Sequence, residues 1–267
     1  MSAVLSAAGA IFKRDLLLFT SYRTRVFSTL FSTAVSLTLF YYVSRLVRSD
    51  QVGSPDDYYA FVVVGLIIFG VLTSTLATPV GTLRAELQSG TFERMVLSPF
   101  GPVRAIASLL LFPLTLALAT GLLSLAFAAI VFGLELKWDT AGLALPVAAL
   151  GALAFAPFGL AMAAAVVVFK QTNAGAALVI TAVSLLAGVY FPVALLPDWI
   201  EWASEVQPFT PAMDLLRHLL VGTPNSGSPG VELLKLVGFA VVTLPLSLLL
   251  LRAAVRRSRQ RGTIIEY

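Results

Sequence analysis

The sequence predicts an all-α polytopic membrane protein: six transmembrane helices, cytoplasmic N- and C-termini, an N-terminal surface helix, a short cytoplasmic helix and an extracellular re-entrant helix pair between spans five and six. Three observations lead to this class. The 267 residues are 58% hydrophobic, with a mean hydropathy of +0.91 and only 12% charged residues, whereas soluble domains carry about 25%. Long apolar runs recur along the chain. It also contains no cysteine, which excludes a disulfide framework and a cysteine-ligated metal.

Six apolar runs are long enough to cross a membrane, since a spanning helix needs about 20 predominantly apolar residues. The third and fourth are long enough to tilt or bend, and we expect bends at Pro113, Pro146 and Pro157 because proline removes a backbone donor. We interpret residues 1–267 as one transmembrane domain. Its spans lie near 26–44, 58–79, 105–133, 141–169, 174–192 and 233–251.

The basic residues indicate the orientation of these spans. With the N-terminus inside, the inner segments carry 13 of the 18 Lys and Arg residues, and the outer segments carry ten of the 14 acidic residues. Cytoplasmic loops are enriched in Lys and Arg, so we predict a multi-pass protein of the cytoplasmic membrane with both termini inside. The basic excess then faces anionic lipid headgroups, and we expect a membrane-lipid partner but no nucleic acid.

Residues 86–101, "ELQSGTFERMVLSPFG", form a polar segment on the predicted cytoplasmic side between spans two and three. A helical continuation of span two is expected to end at Gly90, which can adopt the left-handed conformation. Thr91 is a good N-cap for a second, short helix, Glu93 suits the positive end of its dipole, and Pro99 ends it. The segment therefore predicts a short helix directly after a span.

Apolar stripes mark two of the predicted cytoplasmic helices. Phe92, Met95 and Val96 share one face of the short helix. Because so short a helix is marginal in water by itself, we expect this face to enter lipid headgroups or another protein. The N-terminal segment 2–23 has a pattern typical of a helix in the membrane surface, and the roles of plain anchor and moving gate are equally open for it. Its stripe consists of Leu5, Ala8, Phe12, Leu16 and Phe19.

Residues 192–221 predict two short helices that dip back into the outer leaflet, because their apolar pieces are too short to cross. The stretch "PDWIEWASE" places Trp199 and Trp202 at i and i+3, at the headgroup level that indole rings favour. The stretch "PAMDLLRHLLVG" reads as a second helix that ends at Gly222. Backbone at membrane depth must satisfy its own hydrogen bonds, which favours a helical hairpin. The segment is interrupted by Pro192, Pro197, Pro208 and Pro211.

The chain lacks the residues that most intramembrane chemistry needs. No ionisable side chain lies in the middle of a run, which argues against a proton-coupled carrier, although Na⁺ sites of carbonyls and hydroxyls stay open. There is no G-x-x-x-x-G-K-[ST] phosphate loop, so a pump of this kind needs an external energy source. Glu201 and Glu205 lie one turn apart and the single histidine is His218. We interpret all three as solvated surface residues, and we expect no catalytic residue and no metal site.

Three features together resemble the membrane subunit of ABC-2 type transporters. The segment E-L-Q-S-G-T-F-E-R-M-V-L-S-P is similar to the family's coupling segment, E-x-x-x-G-T-x-E-x-x-x-x-x-P. The stretch "GVYFPVALLPDWIEW…QPFTPAMDLLRHLLVG" resembles the family's fifth span and outer hairpin. The third feature is the order of six spans after a surface helix. Each motif alone is loose, but their order and spacing are specific, and they cover nearly the whole chain.

The resemblance implies a permease that exports an amphipathic drug, lipid or lipid-linked glycan. It implies a homodimer or a related heterodimer, capped by two copies of a separate cytoplasmic ATPase that binds ATP and Mg²⁺, so this chain is a transporter subunit without a cofactor of its own. The implied ATPase-coupling residues are Glu86, Gly90, Thr91, Phe92, Glu93, Arg94 and Met95.

The same resemblance implies a substrate pathway between protomers and an outer gate. Plain helix–helix hydrogen bonding is a strong alternative for the pathway hydroxyls. The pathway candidates are Thr73, Ser74, Thr75, Thr78, Thr181, Ser184 and Tyr190. The gate candidates are Pro192, Pro197, Trp199, Trp202, Pro208, Asp214 and Arg217.

Two other functions stay open at the level of the sequence. One is an autonomous channel or lipid scramblase without an ATPase partner. The other is a membrane-embedded enzyme acting on lipid headgroups through Glu201 and Glu205. A neighbouring reading frame that encodes a phosphate-loop protein favours export over the first. Loss of a lipid product on changing both acids to Gln favours the second.

Overall fold

The computed structural model describes residues 2–21, 23–46, 54–97, 99–169, 173–223 and 227–260, and in these ranges it is helical without a strand. The predicted all-α class is confirmed. Val193–Leu195 form a short 3₁₀ turn. The helices are α1 (Ser2–Ser21), α2 (Arg23–Leu46), α3 (Pro55–Gln88), α4 (Thr91–Leu97), α5 (Pro102–Ser108), α6 (Leu111–Phe132), α7 (Trp138–Phe169), α8 (Asn173–Leu186), α9 (Asp198–Glu205), α10 (Phe209–Val221) and α11 (Pro229–Gln260).

The longer helices alternate in direction between two ends of a bundle, which we call the α10 end and the α4 end. At the α10 end the last turns of α2 and α6 meet the first turn of α3, because the Tyr41 ring lies 5.4 Å from Tyr59 and 4.9 Å from Phe132. The start of α7 is joined to the end of α10 there, since the Lys137 N–H donates to the Leu220 carbonyl at 2.8 Å.

The α4 end is held by a second apolar cluster, in which α4 and α5 pack against the last turns of α3, α7 and α11. Phe92, Ile106, Val167 and Val255 are all buried in it. The α4 end therefore has a core of its own, separate from the larger cluster around α3, α7 and α10.

Helix α3 is central, and small residues let its neighbours approach closely. A Cβ added at Gly159 of α7 would lie 2.7 Å from the Thr75 carbonyl oxygen of α3, so only glycine permits this crossing, as is common between membrane helices. The first turn of α3 is closed by a capping box, in which Asp57 N–H donates to the Ser54 hydroxyl at 3.2 Å and Ser54 N–H donates to the Asp57 carboxylate at 3.0 Å.

Four stretches in the described part of the chain are long and apolar enough to cross a membrane: Pro55–Gln88, Pro102–Phe132, Trp138–Phe169 and Pro229–Gln260. Helices α2 and α8 are not among them, and α8 has only 14 described residues, fewer than the approximately 20 that a span needs. The structure therefore identifies a helical protein with four candidate spans, and the prediction of six stays a prediction.

Two predicted spans differ from the observed helices. The run 105–133 is divided between α5 and α6 at Leu109, one turn before Pro113, whose missing N–H leaves the Leu109 carbonyl without its helical donor. The run 174–192 ends as a helix at Leu186, because Gly188 takes a positive φ of 65° and reverses the chain. Helix α7, in contrast, continues through both Pro146 and Pro157.

Candidate functional site

The junction between α3 and α4 has the local structure that its sequence predicts. Gly90 adopts a φ of 71°, and α4 begins at the next residue and ends before Pro99. The hydroxyls of Ser89 and Thr91 both donate to the Glu86 carbonyl at 3.2 Å. These bonds satisfy a carbonyl that the end of α3 leaves without a helical partner, so the orientation of α4 relative to α3 is fixed by short-range contacts.

The Glu86 side chain joins three helices. Its carboxylate accepts a hydrogen bond from the Thr91 hydroxyl, and it forms an ion pair with Arg14 of α1 at 2.6 Å. Arg14 also pairs with Asp15 at 2.8 Å. Partial desolvation lowers the pKa of Arg14, but the hydrogen bond and charge of Asp15 and the charge of Glu86 outweigh it and raise this pKa above its ordinary value. The resemblance implies Glu86 as an ATPase-coupling residue, and the structure adds the contacts that its carboxylate makes within the chain.

Phe92 faces the interior of the protein. Its side chain is 2% exposed and belongs to the cluster at the α4 end, together with Leu83 and Leu109. The expectation that its ring enters lipid headgroups or another protein is therefore wrong, because the chain's own α3 and α5 provide the apolar surface that a seven-residue helix needs. The side chains of Glu93 and Met95 lie outside the described part of the structure.

The outward face of α4 carries Arg94 and Leu97, which lie one turn apart, and the exposed Gly90 precedes them. Leu97 is 84% exposed. Leu97 lies at the end of the coupling helix that the resemblance implies but is absent from the coupling residues named there, although helical spacing could have found it. Leu97 follows Phe92 by five residues, which places it about 140° around the helix from the buried ring.

The outer hairpin has the two helices that the sequence predicts, α9 and α10, and α10 ends at Gly222. Trp199 and Trp202 are 74% and 64% exposed on α9, and the Trp202 indole donates to the Trp199 carbonyl at 2.8 Å. Each predicted gate proline stands directly before a helical element, where its fixed φ suits a start. Pro192 precedes the 3₁₀ turn, Pro197 precedes α9 and Pro208 precedes α10.

Arg217 is the buried centre of this end of the molecule. It is 2% exposed, and it donates from Nε to the Phe61 carbonyl at 3.1 Å and from Nη2 to the Val189 carbonyl at 3.0 Å. Its guanidinium carbon lies 3.6 Å from the centroid of the Phe61 ring, a cation–π contact. Asp214, one turn earlier on α10, contributes a favourable charge. Arg217 thus ties α10 to α3 and to the chain after α8.

Room for this guanidinium depends on Gly65. A Cβ at this position would overlap Arg217 Nη2 and would lie 2.7 Å from the Val189 carbonyl oxygen. The sequence indicated Arg217 as a gate residue by resemblance alone, and the structure adds the partners that the arginine holds.

The predicted pathway hydroxyls are largely satisfied within their own helices. Thr73, Ser74, Thr75 and Ser184 each donate to a carbonyl three or four residues earlier, at 2.6–2.8 Å. Tyr190 stacks on Phe40 with ring centroids 6.1 Å apart. These bonds favour the plain helical interpretation. Of the two remaining hydroxyl candidates, Thr78 is half-buried and Thr181 is exposed.

Comparisons with known proteins identify one family. A family model described as ABC-2 type transporter matches residues 7–221, most of the chain. Nodulation protein J of Rhizobium meliloti (strain 1021) is 33% identical over 116 residues, which cover 43% of this chain and 44% of that relative. Nodulation protein J of Sinorhizobium fredii (strain NBRC 101917 / NGR234) is 27% identical over 210 residues, 76% of this chain and 77% of that relative. In the first of these alignments the chain thus spans less than half the length of the relative.

Proposed function

Because the chain belongs to the ABC-2 type transporter family, we propose that it is the permease subunit of an ATP-driven exporter whose motor docks on the outward face of α4. Its place as a multi-pass membrane component of an ABC transport system follows from the family and from the four apolar helices. Members of the family generally work with a cytoplasmic ATPase subunit. The docking surface, the cargo class, the outward direction and the dimer are the parts that we propose.

The distribution of charge supports a cytoplasmic α4 end. Cytoplasmic segments are enriched in Lys and Arg, and the described basic residues divide unequally between the two ends. The α10 end has Arg45, Lys137, Arg217 and Lys235, whereas the α4 end has Lys13, Arg14, Arg84, Arg94, Arg104, Arg252, Arg256, Arg257 and Arg259. In this orientation we propose that α2 and the run 174–192, which overlaps α8, supply the other two of six spans. Both termini are then cytoplasmic, and α9 and α10 lie on the outer side.

The observation that carries the proposal is the pairing of a rigidly held α4 with an exposed apolar side chain. Phe92 and the Glu86 contacts fix α4 to the bundle, while Leu97 is 84% exposed beside Arg94. A leucine at a docking face becomes buried when a partner binds, and an adjacent arginine adds a hydrogen-bonding cation that interfaces favour. An ATPase bound here would move α4, and through Phe92 and Glu86 it would move α3 and α1.

The dimer, the ATPase copies, the pathway and the cargo are supported by membership of the family and by the absence of charged side chains from the middle of the predicted spans. We propose a dimer of this chain or of a related chain, with two ATPase copies that supply ATP and Mg²⁺ chemistry, and a pathway between the protomers. The cargo is an amphipathic drug, lipid or lipid-linked glycan, because no charged side chain in the middle of a predicted span is available to hold an ion. The relatives' shared name refers to nodulation and states no cargo.

The test uses the full chain, tagged in its native host and extracted in mild detergent. We expect a phosphate-loop ATPase to co-purify at about equal stoichiometry, and we expect Leu97→Ser combined with Arg94→Glu to reduce its recovery at least about tenfold, a loss of roughly 1.4 kcal/mol. Leu46→Ser is the matched control, because Leu46 is 81% exposed at the opposite end of the bundle.

Equal ATPase recovery from the double variant and from the control would reject docking on α4. A chain that purifies without any ATPase would reject the proposal of an ATPase partner. The autonomous channel or scramblase would then be the favoured function. ATP-dependent movement of a fluorescent lipid in reconstituted vesicles tests the direction, since a scramblase moves lipid both ways without ATP.

A further inference from the structure

A groove of about 660 Å³ lies between α6 and α7 near the α10 end, within the range of roughly 300–1,000 Å³ that is usual for ligand sites. Ile67 and Val71 of α3 form its floor, and Leu216 and Leu220 of α10 close it toward the α10 end. The predicted pathway hydroxyls do not line it, so it is separate from the proposed route of the cargo.

Small residues keep the groove open. On one wall α6 presents Gly121 and Ala126, and on the other α7 presents Ala141 and Gly142. Gly121 lets α6 lie directly on α3, because a Cβ there would be 2.8 Å from Val71 Cγ2, whereas a Cβ on Gly142 would meet no atom within 4 Å. Helices α6 and α7 therefore both pack against α3 but leave the space between them unfilled.

The groove opens sideways onto the apolar surface of the bundle. Its edges are formed by Leu122, Ile130 and Leu145, which are 50%, 84% and 46% exposed. A space with apolar walls that opens from a membrane-spanning surface is filled by hydrocarbon, since a water molecule there would lack the two to four polar partners it needs. In a bilayer the hydrocarbon available to such a space is the acyl chain of a lipid.

Charged residues lie in the chain beside the groove, in the loop between α6 and α7 and in the first turn of α7. Leu136 and Trp138 line the groove, and the neighbouring Glu135 and Lys137 are exposed. Asp139 is exposed in the first turn of α7. The chain at the mouth of the groove thus carries one cationic residue between two acidic residues in sequence.

Lys137 is held beside the groove. Its backbone N–H bonds the Leu220 carbonyl, and its side chain lies so close to Gly222 that a Cβ on that glycine would overlap Cε and Nζ. Among the described residues Lys137 forms no ion pair, so its ammonium is available to an external anion.

We propose that this groove binds one zwitterionic aminophospholipid, with an acyl chain between α6 and α7, the phosphate on Lys137 and the ammonium toward Glu135 and Asp139. Charge complementarity selects this headgroup, because an anionic headgroup satisfies the lysine but meets two carboxylates. The proposal requires only that the chain lies in a bilayer, so it holds whether or not the chain exports. The lipid fills the space that lies between α6 and α7 beside the groove's floor on α3.

The test is native mass spectrometry of the delipidated full chain with phosphatidylethanolamine, phosphatidylglycerol or diacylglycerol added. We expect one phosphatidylethanolamine to bind first, more tightly than either of the others. Gly142→Phe fills the groove, and it is expected to weaken this binding about tenfold or more, since displacing about two methylene groups already costs that much. Gly238→Phe on α11 is the matched control, because a Cβ at Gly238 also meets no atom within 4 Å.

Lys137→Gln tests the headgroup on an exposed position that leaves the groove intact. It is expected to reduce phosphatidylethanolamine binding to the level of diacylglycerol and to leave diacylglycerol binding unchanged. Equal binding of these two lipids by the parent, or unchanged phosphatidylethanolamine binding by Gly142→Phe, overturns the proposal. The proposal is also overturned if the unmodified chain forms dimers that bind no lipid, because a second copy of the chain then covers the groove.

Discussion

Phe92 provides the sharpest test of how α4 is held, because two opposite roles predict opposite results. Its ring is 2% exposed in the cluster that joins α4 to α3, α5, α7 and α11. Removing it by Phe92→Ala deletes buried contacts and leaves a cavity among residues that belong to five helices. Substitutions of this kind cost about 3–5 kcal/mol in protein cores.

Such a loss is large compared with the approximately 5–15 kcal/mol that stabilises a typical domain. For a chain of this size it corresponds to a decrease in melting temperature on the order of 10 °C. The assay is thermal unfolding of the detergent-solubilised chain, followed by size-exclusion chromatography and by hydrogen exchange of residues 86–101. Phe92→Leu is the conservative control, and it is expected to retain most of the stability because it fills most of the same volume.

The contrast with Leu97 makes the reasoning refutable. Leu97 is exposed, so Leu97→Ala is expected to change the melting temperature by less than about 2 °C while it weakens recovery of the ATPase. If Phe92→Ala melted with the parent and lost only the ATPase, the ring would belong to the partner's interface and the inward placement of α4 would be wrong.

Two further predictions concern one contact at each end of the bundle, that of Arg217 at the α10 end and that of Arg14 at the α4 end. Gly65→Ala is expected to destabilise the chain by about 3 kcal/mol, because the new methyl group displaces the buried Arg217 guanidinium from the carbonyls that it bonds. Thermal unfolding measures this loss of stability. A double variant that also carries Arg217→Met is expected to recover part of it. Arg14→Ala is expected to increase hydrogen exchange throughout α1 while changing global stability by no more than about 1 kcal/mol, since the Arg14 side chain is 37% exposed in its pair with Glu86. Unchanged exchange in α1 would show that other contacts hold this helix.

Local features of the fold could be predicted because their causes lie within a few residues. The end of α3 at Gly90, the short α4 and the end of α10 at Gly222 all follow from caps. The start of α10 was predicted at Pro211, and the helix begins two residues earlier, at Phe209. The break before Pro113 also has a local cause, the missing N–H of proline. The end of α8 at Leu186 was missed because the apolar run continues to Pro192, and hydropathy does not detect the turn at Gly188.

Contacts between distant segments could not be predicted in this way. Helical spacing groups Phe92 with Met95 on one face, but it does not tell whether that face meets a partner or the same chain. The sequence also gives no sign that Arg14, 72 residues before Glu86, donates to the Glu86 carboxylate. Both contacts have one physical reason: the partner of a side chain is chosen by the packing of helices far apart in the sequence.

The sequence by itself determined that the chain lies in a membrane, that it is helical, and which family it belongs to. Composition, the length of apolar runs and short motifs are local quantities, and the physical chemistry of lipid and backbone relates them directly to these properties. Only the tertiary structure decided that Phe92 is an internal residue, that Arg217 holds three segments together, and that a lipid-sized groove separates α6 from α7. Those properties depend on where glycines and alanines of different helices meet, since small residues such as Gly65, Gly121 and Gly142 determine where neighbours touch and where a gap remains.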